Sequence, residues 1–550
     1  MNRFTLRSIS AAGLALLAGA ALAAAPRLPV DELTFRVSGP SPFGPDCSGV
    51  QQAGKLYQNA EVEPFVAANP RFPLNLVGTW QQDRWSNGAS QGLGTAYSFD
   101  GGINWHRVFL PFTRCAGGNA ANGGDYERGS DPWVSFSPNG VVHLMVLTVS
   151  FNAPPDRPQT AMLVSRSRDG GRTWGPITTL IADTAAHFND KNTITADPTD
   201  SRYVYAVWDR LSSVPGEGAG PTMLARSTDN GAHWEAARIV YDPGPNAQTI
   251  GNRIEVLPDG TLVDLFTLID YATGAVTLNV IRSTDKGVTW SAPVFVADVL
   301  ALGATDPDTG EPIRDGAILA QMAISRQGKI SVVWQDARFS CGVRDGIALS
   351  ESTDGGFTWS APVQINRDPL VQAFTPTVHV RRDGGIGVTY FDLRGGTSNA
   401  ATQLTSLWLT RSHDGTIWRE SPVTAPFDLS KAPDAGGLFL GDYQGLTSIG
   451  PVYVPFFVKT TGDIANRNDV YSHLSLLGIL AGAASGAREV ERRVAEEEAA
   501  LPAMSVQGTG RAMPLVPTAM RAATWQAVER TMRARVPDWD ARRPTRGGTR

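Results

Sequence analysis

Four short stretches each place an aromatic residue, an aspartate and an arginine close together: Trp80-Gln-Gln-Asp83-Arg84, Trp208-Asp209-Arg210, Trp334-Gln-Asp336-Ala-Arg338 and Tyr390-Phe-Asp392-Leu-Arg394. A guanidinium presents a planar fork of donors that matches a carboxylate, so arginines converging from several stretches would hold an anionic group. The same pattern also fits a structural role, in which each arginine braces its own or a neighbouring aspartate. Arg253 and Glu255 stand two apart and in a strand would point the same way. More charge gathers between the predicted strands, at Glu61, Glu63, Glu127, Arg128, Asp131, His187, Asp190, Lys191, Arg314, Asp315 and the pair Asp442-Tyr443.

What must position these residues is a repeat. The pattern Ser-x-Asp-x-Gly-x-x-Trp begins at Ser98, Ser167, Ser227, Ser283 and Ser352, and a copy one residue shorter runs from Ser412 to Trp418. The aspartate can accept hydrogen bonds from backbone N–H groups just ahead of it, and the glycine supplies a positive φ. A β-stretch precedes most copies and a short apolar one follows, so each copy is a hairpin turn. The starts lie 69, 60, 56, 69 and 60 residues apart. Each interval holds four strands with loops, which is the sequence mark of a β-propeller. After the sixth copy come Gln444–Ser448, Val452–Val458 and Asp469–Leu474, a set lacking its outer strand. The isolated stretch Leu33–Gly39 would supply that strand and close the ring, removing exposed edges. The expectation is an all-β, seven-bladed propeller, with six blades as the alternative, closed by an N-terminal strand and followed by a helical tail. In such a ring the repeated turns share one face. The ends of the second strands and the loops leading into each blade share the other, around a central funnel.

The repeated turn resembles the Asp-box (BNR) repeat of the sialidase superfamily, and the resemblance covers roughly residues 60 to 475. That family hydrolyses terminal sialic acid with an arginine triad, a tyrosine nucleophile activated by glutamate, and an aspartate acid/base. The resemblance implies Tyr443 as nucleophile, Glu255 as its partner and Asp83 as acid/base. It implies Arg253, Arg338 and Arg394 as the carboxylate clamp, while Arg84 and Arg210, from the repeated stretches, are further candidate substrate contacts. The family's Arg-Ile-Pro motif before the first box is absent, and Arg71-Phe72-Pro73 falls in a turn on the opposite face. The chain is more closely similar to exported bacterial Asp-box proteins, called sialidase-like for their repeats.

The remaining features bound the protein's class. The chain has 550 residues, 57 Gly, 37 Pro and 14 Trp, which suits an all-β protein, and its formal charge of −5 argues against a nucleic-acid partner. Residues 1–24 read as a signal peptide: Arg3 and Arg7, the apolar run Ala11–Ala20, then Ala21-Leu22-Ala23 as a small-residue cleavage site. A secreted or periplasmic monomer with no membrane span after cleavage follows. Export makes Cys47, Cys115 and Cys341 candidates for one disulfide and one free thiol, with Cys47–Cys115 the favoured pair. Residues 25–60 form an arm carrying the closing strand, 61–478 the propeller, and 479–550 a helical and disordered tail, read as a solvated appendage. No cofactor is called for, although Asp306-Pro-Asp308-Thr-Gly-Glu311 has the flavour of a structural calcium loop. Three functions suit this reading. The first is an exo-α-sialidase-like hydrolase of an acidic glycan. The second is a polysaccharide lyase in which His187 or Tyr443 abstracts a proton beside a uronate carboxylate. The third is a non-catalytic propeller that binds glycan or protein.

Overall fold

The computed structural model describes residues 33–214, 216–397, 401–475, 487–506, 518–536 and 539–542. The expected signal peptide and the expected disordered end beyond residue 542 lie outside the described residues.

Each Asp box ties down the turn between two outer strands. In the first, Ser98 Oγ donates to Asp100 Oδ1 (2.8 Å), which also accepts from the backbone N–H groups of Ile103 (3.1 Å) and Asn104 (2.9 Å). The Trp105 indole N–H donates to Gly102 O (2.9 Å) and closes the turn. The boxes at Asp169, Asp229, Asp285, Asp354 and Asp414 repeat the carboxylate-to-backbone bond. The aromatics of the four charged stretches serve the core. Trp80, Trp208 and Trp334 are fully buried, and their indole N–H groups donate to Gln82, Asn189 and Asp336.

Around the funnel stand the inner strands Val62–Ala68, Arg128–Phe136, His187–Ala196, Ala247–Val256, Gln321–Ile324, Ala373–Val380 and Gly445–Ile449. The expectation of seven separate blades, or six, is corrected by the hydrogen bonding. Five sheets stand as discrete blades, built outward from the inner strands at His187, Ala247, Gln321, Ala373 and Gly445. The strands expected for the first two blades instead merge into one nine-stranded sheet. The cause is the long hairpin of Leu76–Trp85 and Ser90–Ser98, whose tip folds onto the next inner strand. Ser90 pairs with Gly129 and donates from Oγ to its carbonyl (2.8 Å), and Arg128 Nη1 donates to Gly88 O (2.8 Å) and Asn87 Oδ1 (2.9 Å). Thr34–Arg36 pairs antiparallel with Asn466–His473, so the N-terminal strand lies at the edge of the last blade. Cys47 and Cys115 are disulfide-bonded, and Cys341 is free and exposed.

The described residues of the tail are packed on the propeller and are not a solvated appendage. Helix α1 (Ala487–Ala500) packs on the box face, burying Val490 and Val494 with Val452, while Glu498 pairs with Arg381 (2.8 Å). Ala503–Ser505 then adds a strand outside Ile417–Arg419. Helix α2 (Thr518–Arg535) and the short α3 (Trp539–Arg542) lie on the opposite rim. Trp525, Val528, Met532, Val536 and Trp539 are buried there in the same core cluster as Tyr271. Among the described residues, no helix is long and apolar enough to cross a membrane.

Candidate functional site

The funnel is organised by one repeated irregularity. Five inner strands carry a bulge at the same place, next to Glu63, Asp131, Lys191, Gly251 and Thr375. All five residues have left-handed backbones, with φ of 54°, 47°, 45°, 73° and 49°. Glycine accepts this freely, whereas other residues are strained by about 1–3 kcal/mol each, a cost that recurs at functional sites. Three of the four non-glycine residues are charged, and they meet. Lys191 Nζ lies 2.6 Å from Asp131 Oδ1, 2.9 Å from Asp442 Oδ2 and 3.3 Å from Glu63 Oε1. Asp442 also takes Arg314 Nη2 (2.9 Å) and, from helix α2, Arg535 Nη2 (2.9 Å). Arg314 reaches it because Ile313–Arg314 pairs in parallel with Leu438–Phe439 on the rim. Gln81 Nε2 donates to Glu63 and to Ser130 Oγ (2.9 Å), and its Oε1 accepts from Arg84 Nη1 (2.7 Å).

The two carboxyls beside Lys191 are driven apart. Burial pushes Glu63 well above the usual carboxylate range, and the negative charge of Asp131 adds to this. Burial also works against ionised Asp131, but the Lys191 ammonium outweighs it and holds the carboxyl below its ordinary value. Asp442 is held well below the range, because Arg314, Arg535 and Lys191 together overcome its burial. The site therefore juxtaposes a carboxyl pushed up and one held down. Tyr443, buried and near Glu63, Asp131 and Asp442, is pushed well above its ordinary value. Asp131, Lys191 and Tyr443 line a narrow cavity with Trp133, Arg253 and Gln321.

The residues singled out from the sequence are dispersed. Tyr443 and Arg253 share the cavity, and the tyrosine hydroxyl donates to Pro132 O (3.3 Å). Glu255 is bonded to Arg253 (2.9 Å). Asp83, itself left-handed (φ 66°), anchors the N-terminal arm through Ser41 Oγ and the Asn59 N–H (2.8 Å). Arg84 is buried against the face of Phe439. Three arginines are engaged by local acids: Arg210 by Asp183 (2.6 Å), Arg338 by Asp336 (2.7 Å), and Arg394 by Asp392 (2.5 Å) and Glu420 (2.6 Å). His187 lies 2.8 Å from Glu217 on the rim. The segment Asp306–Glu311 is a turn in which Asp306 Oδ1 accepts from the Asp308 and Thr309 N–H groups. No cluster of three or more His, Cys, Asp or Glu residues suited to a metal ion occurs among the described residues.

With this geometry in hand, the chain can be set beside known proteins. The BNR/Asp-box repeat family matches residues 96–107, the first box. A sialidase of Micromonospora viridifaciens is 29% identical over 230 residues, 38% of this chain and 32% of the relative. The chain carries the Asp-box repeat and is similar to proteins of the sialidase superfamily. A xyloglucanase of Hypocrea jecorina (strain QM6a) is 28% identical over 260 residues, 41% of this Asp-box propeller and 28% of the relative. The matched region thus spans about a third or less of either relative's length. Among solved structures, the Hadza microbial sialidase Hz136 has 15% identity and a TM-score of 0.42, over 80% of this chain and 92% of that one. An α-L-arabinanase of Penicillium chrysogenum has 13% identity and a TM-score of 0.40, over 65% and 93%.

Glu63, Asp131, Lys191, Arg314 and Asp442 had been visible in the sequence only as charges between strands of the Asp-box propeller. A sharper signal is present in it. Glu63-Pro64, Asp131-Pro132, Lys191-Asn192, Gly251-Asn252 and Thr375-Pro376 fall at equivalent places of successive inner strands, and this dipeptide marks the bulge. Arg535 carried no such mark, because it arrives from the tail.

Proposed function

We propose that this protein is a glycoside hydrolase of the Asp-box type, with its reacting groups in the funnel around Lys191. The observation that supports this most is the pair Glu63 and Asp131, both bonded to Lys191 and shifted in opposite directions. Glycosidic cleavage needs one carboxyl that delivers a proton to the leaving oxygen and one that stays ionised to assist water or stabilise the oxocarbenium ion. Glu63 suits the first role and Asp131 the second. In this reading the cavity beside them holds the sugar ring, with Trp133 and Tyr443 as its aromatic walls. Arg253, which lines the same cavity, would favour an acidic glycan, as in the sialidase relative, and Tyr443, which lines it too, would serve a tyrosine-nucleophile variant. Export to the periplasm or the medium is part of the proposal.

The test is a panel of fluorogenic sialosides, uronides and neutral glycosides incubated with the wild-type chain and with Asp131→Asn. Release from one class, lost in the variant, is the expected result. Elimination would instead give absorbance near 235 nm, the mark of a lyase. Glycan binding without release of product would make the chain a lectin-like propeller, and either outcome overturns the hydrolase reading.

A further inference from the structure

On the rim side of Lys191, beneath helix α2, lies a second narrow cavity. The residues around it include Arg84, Lys191, Arg314 and Arg535, with Asp131 and Asp190 as its acids. The four cationic side chains come from four separate segments of chain, and all are more than nine-tenths buried. Lys191 and Arg314 are fully engaged by Asp131, Asp442, Glu63 and backbone carbonyls. Arg84 and Arg535 are not. Arg84 Nε, Arg535 Nε and Arg535 Nη1 are buried without a hydrogen-bond partner. Stranded donors of this kind, on charged groups, are costly unless something accepts from them.

The charges leave the same gap. Burial pushes the Asp190 carboxyl up to about 6, so it is ionised at neutral pH together with Asp131 and Asp442. Glu63 and, at the neighbouring strand, Asp209 are pushed well above the carboxylate range by burial. Four cations and two carboxylates, Asp131 and Asp190, line this chamber. We propose that this chamber binds one compact monovalent anion, chloride or a small carboxylate, which accepts from Arg84 and Arg535 and completes the joint between the propeller and helix α2. The anion would be held whether or not the funnel cleaves a glycan.

Crystals of the full chain soaked separately in sodium bromide and sodium acetate supply one test. The expected result is an anomalous bromide peak, or acetate density, bonded to Arg84 Nε and to Arg535 Nε or Nη1. Ordered water alone in the chamber overturns the proposal. In solution, tryptic cleavage within α2 is followed in chloride, in acetate and in an equally concentrated bulky sulfonate buffer. At least tenfold slower cleavage in chloride or acetate is expected, and whichever protects at the lower concentration is the better occupant. Arg84→Gln should abolish that protection while leaving cleavage in the sulfonate unchanged; should it fail to fold, Arg535→Gln is read the same way. Bromide in the crystal without protection in solution would mean an adventitious ion only, and the proposal fails.

Discussion

Lys191 is the residue whose loss is most informative. Its ammonium is shared by three carboxyls, but they depend on it unequally. Asp442 keeps Arg314 and Arg535, and Glu63 is already pushed well above the carboxylate range by its burial. Asp131, 3% exposed, has Lys191 as its nearest cation at 2.6 Å. In Lys191→Met, Asp131 must take up a proton to stay buried. An aspartate that titrates near 3.9 when unfolded costs about 1.4 kcal/mol per pH unit to keep protonated, hence about 4 kcal/mol at pH 7. That agrees with the roughly 3–5 kcal/mol typical of breaking a buried pair. The sign follows from linkage. In the wild type the depressed Asp131 contributes stability above the unfolded value, lost as pH falls through the folded one. In the variant the raised Asp131 favours folding most at low pH and progressively less as pH rises. The gap between the two proteins should therefore shrink to about 1 kcal/mol near pH 4.5. Urea unfolding at pH 4.5 and pH 7.5 measures it. A difference that is the same at both, or below about 1 kcal/mol at neutral pH, would refute the network as described.

Three further outcomes follow from the same geometry. Arg338→Lys and Arg394→Lys should each lower the melting temperature and leave glycan affinity unchanged, because both guanidinium groups are engaged by acids of their own blades; melting curves and glycan titrations check this. Cys47→Ser opens a link across 68 residues of chain and should cost about 4 kcal/mol by loop entropy, measured in non-reducing denaturant melts. Met532→Asp places an unpaired charge in the buried face of α2 and should release that helix, seen as rapid proteolysis of the tail with the propeller core intact.

The fold was legible wherever a local rule fixed it. Ser, Asp, Gly and Trp of each box are chosen by turn geometry, so six hairpins could be read directly, and the Thr34–Arg36 edge strand followed from an unpaired set at the other end. The fusion of the first two expected blades was not legible. It depends on Ser90, Gly88 and Arg128 meeting across a loop, a contact that no periodicity encodes. The site was half legible for the same reason. Arg338 and Arg394 stood out because they repeat, and they repeat because they brace Asp336 and Asp392. The charges that converge, Glu63, Asp131 and Lys191, differ in type from strand to strand, so a search for recurring residues passes over them. The docked tail was hidden because α2 alternates buried Trp525, Val528 and Met532 with arginines, which reads as a polar helix until a partner surface is known.

The pH dependence of kcat/KM for Glu63→Gln against wild type, on whichever glycoside of the panel is cleaved, tests the central claim most directly. The wild type should give a bell, with an acid limb set by depressed Asp131 and an alkaline limb set by raised Glu63. Removing the Glu63 proton should cut the rate by about 10²–10⁴-fold and erase the alkaline limb. A variant that keeps the wild-type rate and both limbs would contradict the assignment of Glu63 as the acid and, with it, the placement of the chemistry around Lys191.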